Sequence, residues 1–172
     1  HAFSSAVVQS AGHALRMTAR SIAGHASRSE ALMQLLLCYT QALFTHMAQT
    51  SACNRHHALE QQLCRWLLLN LDRQQGNEIV VTQERIADML GVRREGVSGA
   101  ALKLQKAGLI QYRRGRIAIL DRAGLEERSC ECYAVVRRAY DRLLRDADSR
   151  RLAWGGRVRA SISPIASMLA TA

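Results

Sequence analysis

The chain has 172 residues, which suits one or two small domains, and 48% of them are apolar, enough for a folded core. Its 24 lysines and arginines outnumber its 14 acidic residues and give a formal net charge of +10. Such an excess indicates a polyanionic partner, either nucleic acid or an anionic membrane surface. The sequence has neither an apolar run of about 18 residues nor a basic-then-apolar leader, so we expect a soluble, cytoplasmic protein without a membrane span.

The first third of the chain predicts short strands followed by one long helix. Residues Ser5 to Ala19 contain a short apolar run, a glycine and then alternation, which is typical of about two short strands. Ser29 is a good N-cap for a helix that reaches about Cys53. Two apolar seams recur along this helix at spacings of three and four. The first seam is Leu32, Leu36, Tyr39, Leu43, His46 and Thr50, and the adjoining one is Met33, Leu37, Thr40, Phe44 and Met47.

Two apolar seams on one helix need two partners. One partner can be the body of the same chain. The other is most simply the same helix of a second subunit in a parallel coiled coil, and we assign the first seam to that dimer interface. The alternative is a core helix of a single subunit with a wide apolar face.

The middle of the chain predicts a helix-turn-helix. A helix from about His56 to Asp72, with Trp66 in the core, is followed by extended chain at Ile79 to Val81. Thr82 then caps a short helix that Gly91 ends, and a second helix runs from about Arg93 to Lys106. That second helix directs Val97, Ala100, Ala101 and Leu104 inward and leaves Arg94, Glu95, Ser98 and Gly99 outward. The exposed first turns of such a helix are where it meets base edges.

A basic hairpin follows the second helix. Ile110 to Tyr112 and Ile117 to Leu120 flank the tip Arg113-Arg114-Gly115-Arg116. Beside a helix-turn-helix such a hairpin is a wing, whose guanidinium groups would lie along phosphates; taken alone, the tip could be a solvated turn. Asp121 then caps a helix that continues to about Leu144.

Two stretches of this region carry a family resemblance. T-Q-E-x-I-A-x-M-L-G-V-R-R-E-x-V-S, from Thr82, and L-Q-K-A-G-L-I-x-Y-x-R-G-R-I-x-I-L-D, from Leu104, resemble the DNA-binding half of the Crp/Fnr family of bacterial transcription regulators. The resemblance implies a mainly α chain: a remnant of the sensor β-roll with a linker at 1–28, a dimerisation helix at 29–54 and a winged helix-turn-helix domain at 55–145. Residues 146–172 have no counterpart in the family, and their arginines and glycines predict a basic, flexible tail.

The resemblance also implies roles for single residues. Arg94 and Glu95 occupy two base-reading positions, and the third falls on Gly99, which has no side chain. We add Ser98 to the base-reading set. The expected backbone contacts are Thr82, Arg93 and the wing residues Arg113, Arg114 and Arg116. Little of the β-roll is present, so we expect no response to a cyclic nucleotide.

The five cysteines do not predict a disulfide framework or a metal site. Their number is odd, and no Cys-x-x-Cys pair occurs. Cys130-x-Cys132 on one helix would point its side chains to different sides, and the adjacent His56 and His57 would be an equally poor chelate. We also find no catalytic constellation and expect no cofactor and no enzymatic activity.

The sequence therefore predicts a sequence-specific, DNA-binding transcription regulator that acts as a homodimer on an inverted-repeat site. The main alternative is a truncated dimerising protein that sequesters a full-length relative. An RNA-binding winged helix is disfavoured because aromatic residues are not interleaved with the basic ones. The operator, the effector, any contact with RNA polymerase and the choice between activation and repression are left open.

Overall fold

The computed structural model describes residues 13, 15–74 and 76–153, with residues 144–153 described by their backbone alone. The elements in chain order are α1 (Ala19–Ala26), α2 (Glu30–His56), α3 (Leu59–Leu71), β1 (Glu78–Val80), α4 (Gln83–Leu90), α5 (Arg94–Lys106), β2 (Ile110–Arg113), β3 (Arg116–Ile119), α6 (Arg122–Arg128) and α7 (Cys132–Ala153). The strands form one antiparallel sheet in the order β1-β3-β2. The mainly α fold class is thereby confirmed. Among these helices, none is long and apolar enough to cross a membrane.

The N-terminal strand prediction is wrong where the structure tests it. Residues 15–18 form no strand, and Ala19 begins α1 because the Thr18 hydroxyl accepts a hydrogen bond from the Ser21 amide (3.2 Å). The rest of the predicted strands, residues 5–12 and 14, lie outside the described residues. Ser29 caps α2 as expected, with its hydroxyl 3.3 Å from the Leu32 amide.

The C-terminal half differs from the prediction in two places. The single helix expected from Asp121 to Leu144 is two helices, because the chain is extended at Ser129 and restarts at Cys132. The tail expected from residue 146 begins as helix, since α7 continues to Ala153; residues 154–172 lie outside the described residues. Further upstream, α3 begins at Leu59 rather than His56, which still belongs to α2.

One apolar core holds α3, α4, α5, the sheet, α6 and the start of α7 together. Its fully buried side chains include Leu67, Ile86, Leu104, Ile117 and Leu125, and the half-buried Trp66 packs against its edge.

A polar network joins three helices beside this core. Arg122 of α6 donates to Asp72 at the end of α3 (2.5 Å) and to the Tyr133 hydroxyl of α7 (2.8 Å). Helix α2 lies outside this unit and packs mainly against α7.

Candidate nucleic-acid interface

Helices α4 and α5 form the expected helix-turn-helix. The Thr82 hydroxyl accepts from the Arg85 amide (3.2 Å) and caps α4, and Gly91 ends that helix with a φ of 66°. This left-handed conformation costs glycine nothing, which explains the residue at the turn. Helix α5 then packs closely on α3, because a Cβ at Gly96 would lie 2.8 Å from the Leu59 side chain.

The first turns of α5 present the expected reading residues to solvent. Arg94 and Glu95 are exposed, and so is Gly99 one turn later, where an added Cβ would meet nothing within 4 Å. Ser98 is half-buried, and its hydroxyl lies 2.5 Å from Gln83 Oε1 of α4 and 3.1 Å from the Arg94 carbonyl. Its single proton is therefore used by acceptors inside the motif, which leaves only its lone pairs for a further hydrogen bond. The base-reading role of these residues stays a prediction.

Strands β2 and β3 form the wing. Arg114 and Gly115 have φ values of 47° and 77°, so a two-residue turn of the I′ type joins Arg113 to Arg116. The turn is shorter than the four-residue tip expected from the sequence. All three arginines are exposed, and Arg116 forms an ion pair with Glu78 (3.3 Å).

The wing is fixed to the start of the helix-turn-helix. The Val81 amide donates to the Gly115 carbonyl (2.8 Å), and the Tyr112 hydroxyl donates to the Val81 carbonyl (3.4 Å). Val81 directly precedes Thr82, the cap of α4. Ile110 and Ile117 of the wing also share one core with Val97 and Leu104 of α5, so the wing and the helix-turn-helix are parts of one packed unit.

Helix α2 has one covered side and one bare side. Ala42 and Cys53 are buried, and His46 between them is half-buried. At 3.6 residues per turn the opposite side carries the second predicted seam. All five of its residues are exposed: Met33, Leu37, Thr40, Phe44 and Met47. The structure thus leaves this seam, rather than the first one, without cover within the described chain.

The residues of the first seam lie on the flank of α2 or point inward. Leu32 and Leu36 are half-buried, while Tyr39 and Leu43 are 50% and 40% exposed. Thr50 accepts from Arg65 Nη1 (3.0 Å), which places it against α3. The assignment of the complete seam to a second subunit therefore does not match the contacts of its last two residues, His46 and Thr50.

His46 packs against α7 and the loop after α3. Its ring meets Tyr140 edge-on at 6.1 Å between centroids, and its Nδ1 accepts from Arg73 Nη2 (3.3 Å). Burial lowers the pKa of His46 to about 4, and the positive charges of Arg73 and Arg65 act in the same direction. His46 is thus neutral at physiological pH.

Two pairs of residues whose side chains are of metal-binding types lie together beside α2. Cys53 and His57 at the end of α2, and Cys130 and Cys132 at the start of α7, have their ligand atoms within 4.8 Å of one another. The expectation that Cys130 and Cys132 diverge is wrong, because Cys130 precedes α7 instead of lying inside a longer helix. Sequence reasoning missed the cluster because it tested Cys130 with Cys132 and His56 with His57, and it did not pair Cys53 with His57. The signal was Cys53-x-x-x-His57, one helical turn apart, beside a second ligand pair.

The thiols of this cluster are strongly desolvated. Burial raises the pKa of Cys53 to about 12, with Arg65 opposing the shift. Burial also raises the pKa of Cys132. His57 Nε2 lies 3.2 Å from the exposed carboxylate of Glu131.

Known proteins resemble the part of the chain just described. Residues 61–128 match a family model described as a Crp-like helix-turn-helix domain. A structure from Eubacterium rectale, described as a transcriptional regulator of the Crp/Fnr family, is 25% identical with a TM-score of 0.50; the match covers 64% of this chain and 51% of that one. FixK2 from Bradyrhizobium japonicum is 20% identical with a TM-score of 0.55, covering 64% of this chain and 58% of its own.

The match is partial on both sides. The chain spans about half the length of the solved structures it matches, and a comparison with curated proteins finds no significant match. Within the chain, the family model runs from α3 to the end of α6 and so includes α5 and the wing. The chain therefore contains a Crp-like helix-turn-helix domain, in agreement with its resemblance to the Crp/Fnr regulators.

Proposed function

We propose that the chain is a transcription regulator that binds an inverted-repeat DNA site as a homodimer. The observation that carries the proposal is the joint exposure of Arg94 and Glu95 on α5 and of the wing arginines on the same rigid unit. Arginine can make a bidentate contact to guanine, and glutamate can accept from the cytosine amino group. The wing arginines supply charge along the phosphates, which positions the domain without reading sequence.

The test is selection of a binding site from random duplex DNA, followed by affinity measurements on that site and on random DNA. Arg94→Ala should weaken binding to the selected site by about 1 to 3 kcal/mol and relax preference at one position in each half-site. Arg55→Ala is the matched control, since Arg55 is an exposed arginine at the end of α2, outside the helix-turn-helix. Equal losses on both DNAs would show that Arg94 contacts only phosphate.

The dimer is supported by the bare side of α2. Leu37, Phe44 and Met47 are 59%, 67% and 59% exposed, and they lie on one stripe with Met33. An exposed and largely apolar stripe on a helix is typical of an interface. If a two-fold axis at this stripe relates two chains that read successive major grooves, the two α5 helices should lie roughly 34 Å apart and the half-site centres about 10 base pairs apart.

Two outcomes would contradict this function. Failure to enrich any site from a random library would show that the chain does not recognise a DNA sequence. If that chain still dimerised, the result would favour the interpretation that it sequesters a full-length relative. Enrichment of a single half-site without a repeat would contradict the two-fold arrangement on DNA, but it would still support base contacts by α5.

A further inference from the structure

We propose that Cys53, His57, Cys130 and Cys132 bind one zinc ion in a tetrahedral site. The four ligand atoms lie within 4.8 Å of one another, with Cys53 Sγ 3.5 Å from Cys130 Sγ and Cys132 Sγ 3.6 Å from His57 Nδ1. Zinc–sulfur bonds of about 2.3 Å and zinc–nitrogen bonds of about 2.0 Å give a tetrahedron with edges of roughly 3.5 to 3.8 Å. Two edges of the observed cluster already have this length.

The site has the burial and composition of a structural zinc centre. Cys53, Cys130 and Cys132 are buried and form a cluster separate from the main core, and the His57 side chain is 17% exposed. Three cysteines and one histidine are one of the closed ligand sets that zinc adopts. They fill all four positions, so the centre would hold the fold together and leave no position for a substrate.

Charge around the site is also suited to zinc. Three thiolates and one divalent cation sum to a net charge of −1. Arg65 is 2% exposed, and it donates to Thr50, which lies one turn before Cys53 on α2. A buried guanidinium beside a buried anionic centre compensates its charge, as burial of either group requires.

Groups next to the ligands hold the histidine and the end of α2 in place. The Glu131 carboxylate lies 3.2 Å from His57 Nε2, where it can accept a hydrogen bond from that nitrogen, and this arrangement would leave the Nδ1 lone pair for the zinc ion. Carboxylates in this position orient and strengthen zinc-binding histidines in general. Gln62 Nε2 donates to the carbonyls of Cys53 (3.4 Å) and His57 (2.8 Å), which fixes the backbone that carries both ligands.

Other chemistry explains the cluster less completely. A Cys53–Cys130 disulfide would require the sulfurs to approach from 3.5 Å to about 2.05 Å, and it would not explain the convergence of Cys132 and His57. An iron–sulfur cluster places several irons and bridging sulfides between its ligands and so spreads them farther apart than one ion does. Mixed thiolate and imidazole ligation around a single centre favours zinc.

The ion would join the segments on either side of the Crp-like domain. Cys53 and His57 precede residues 61–128, and Cys130 and Cys132 follow them. Zinc would thereby fix α2 to the start of α7 and set the angle between the dimer stripe and the reading unit. This consequence rests on the proposed function, whereas the metal site does not, and the two are measured separately.

The experiment is metal analysis of the full chain, purified with reductant and without chelator. We expect one zinc per chain. Replacing zinc with Co²⁺ should give the intense visible absorption of tetrahedral cobalt with thiolate-to-metal charge transfer. Cys132→Ser and His57→Gln should lose that spectrum, while Cys38→Ser, outside the cluster, should keep it.

A milder variant covers the case in which ligand replacement unfolds the chain. Glu131 is 76% exposed, so Glu131→Gln should stay folded and bind zinc about 10- to 100-fold more weakly in a chelator competition. Glu127→Gln is the control, since it removes the same charge from an exposed site on α6, and its affinity should be unchanged.

Three results would overturn the assignment. They are a wild-type chain that carries no zinc and gives no tetrahedral cobalt spectrum, a Cys53–Cys130 disulfide in the reduced preparation, and an iron–sulfur chromophore in the purified protein. None of these measurements uses DNA, so failure here leaves the proposed function standing, and failure of DNA reading leaves the zinc site standing.

Discussion

Replacing Phe44 with aspartate should convert the proposed dimer into monomers. Phe44 is 67% exposed, which makes it the most exposed of the large apolar side chains on the bare stripe of α2. A phenylalanine offers roughly 200 Å² for burial, so covering two thirds of it at about 25 cal/mol per Å² contributes about 3 kcal/mol per subunit. Both subunits lose this term, and the aspartate must also be desolvated. At 1.4 kcal/mol for each factor of ten, the dissociation constant should rise by about 10⁴.

Sedimentation velocity at micromolar concentration measures this change directly. Gln34→Asp is the matched control, because Gln34 is exposed on the same helix but one 100° step away from Met33 and the stripe. It should remain dimeric, and circular dichroism should show the same helix content for both variants. A Phe44→Asp chain that stays dimeric would exclude this stripe as the interface. A monomeric wild-type chain would refute the dimer itself and leave the single-subunit interpretation of α2.

Two further predictions concern the wing and helix α5. We expect the slope of log DNA affinity against log salt concentration to fall by about one unit in Arg113→Ala and in Arg114→Ala. Arg116→Ala should lower the slope less, because Glu78 already pairs with that guanidinium. An unchanged slope in all three variants would show that the wing does not contact DNA. Gly99→Ala should raise the free energy of urea unfolding by up to about 1 kcal/mol, since its Cβ has open space, and Gly96→Ala should gain less because its Cβ would press on Leu59. A larger gain at Gly96 would contradict the close packing of α5 on α3.

The helix-turn-helix could be predicted from sequence because its signals are local. Thr82 caps α4 through an amide three residues away, and Gly91 and Gly108 take the positive φ angles that end helices. Each of these choices depends on a few neighbouring residues, and none depends on where the rest of the chain lies. The resemblance to a family then added roles to positions that the local signals had already located.

The failures came from features that only tertiary structure determines. No glycine or proline marks the break at Ser129, and apolar residues continue at helical spacing on both sides of it, so the pattern predicted one helix. That error also hid the cluster, because a continuous helix separates Cys130 from Cys132.

On α2, both seams have helical spacing, and periodicity alone cannot say which one faces the body of the chain. The position of α7 determines which seam faces the body of the chain. His46 contacts α7 and Thr50 contacts α3, whereas Leu37, Phe44 and Met47 on the stripe are 59%, 67% and 59% exposed.

Acidification should weaken the fold through His46, whose pKa burial lowers to about 4, with help from Arg73 and Arg65. The unfolded chain keeps the ordinary value of 6.5. Between these values the unfolded state binds a proton that the folded state does not, so the free energy of unfolding falls as pH falls from about 6.5 to about 4. At 1.36 kcal/mol per pKa unit, and discounted for the partial exposure of the ring, the loss should be about 1 to 2 kcal/mol.

His46→Gln isolates this effect, because glutamine can still accept from Arg73 but does not titrate. Urea unfolding at pH 7 and pH 5, at one fixed protein concentration, should show a smaller loss for His46→Gln than for wild type. His25→Gln, at an exposed position on α1, should lose as much as wild type. Carboxylates that titrate in the same range affect all three chains alike, so only the difference between them reports on His46. Equal losses in all three chains would show that protonation of His46 does not oppose folding, and that its contacts with Arg73 and Tyr140 tolerate the charge.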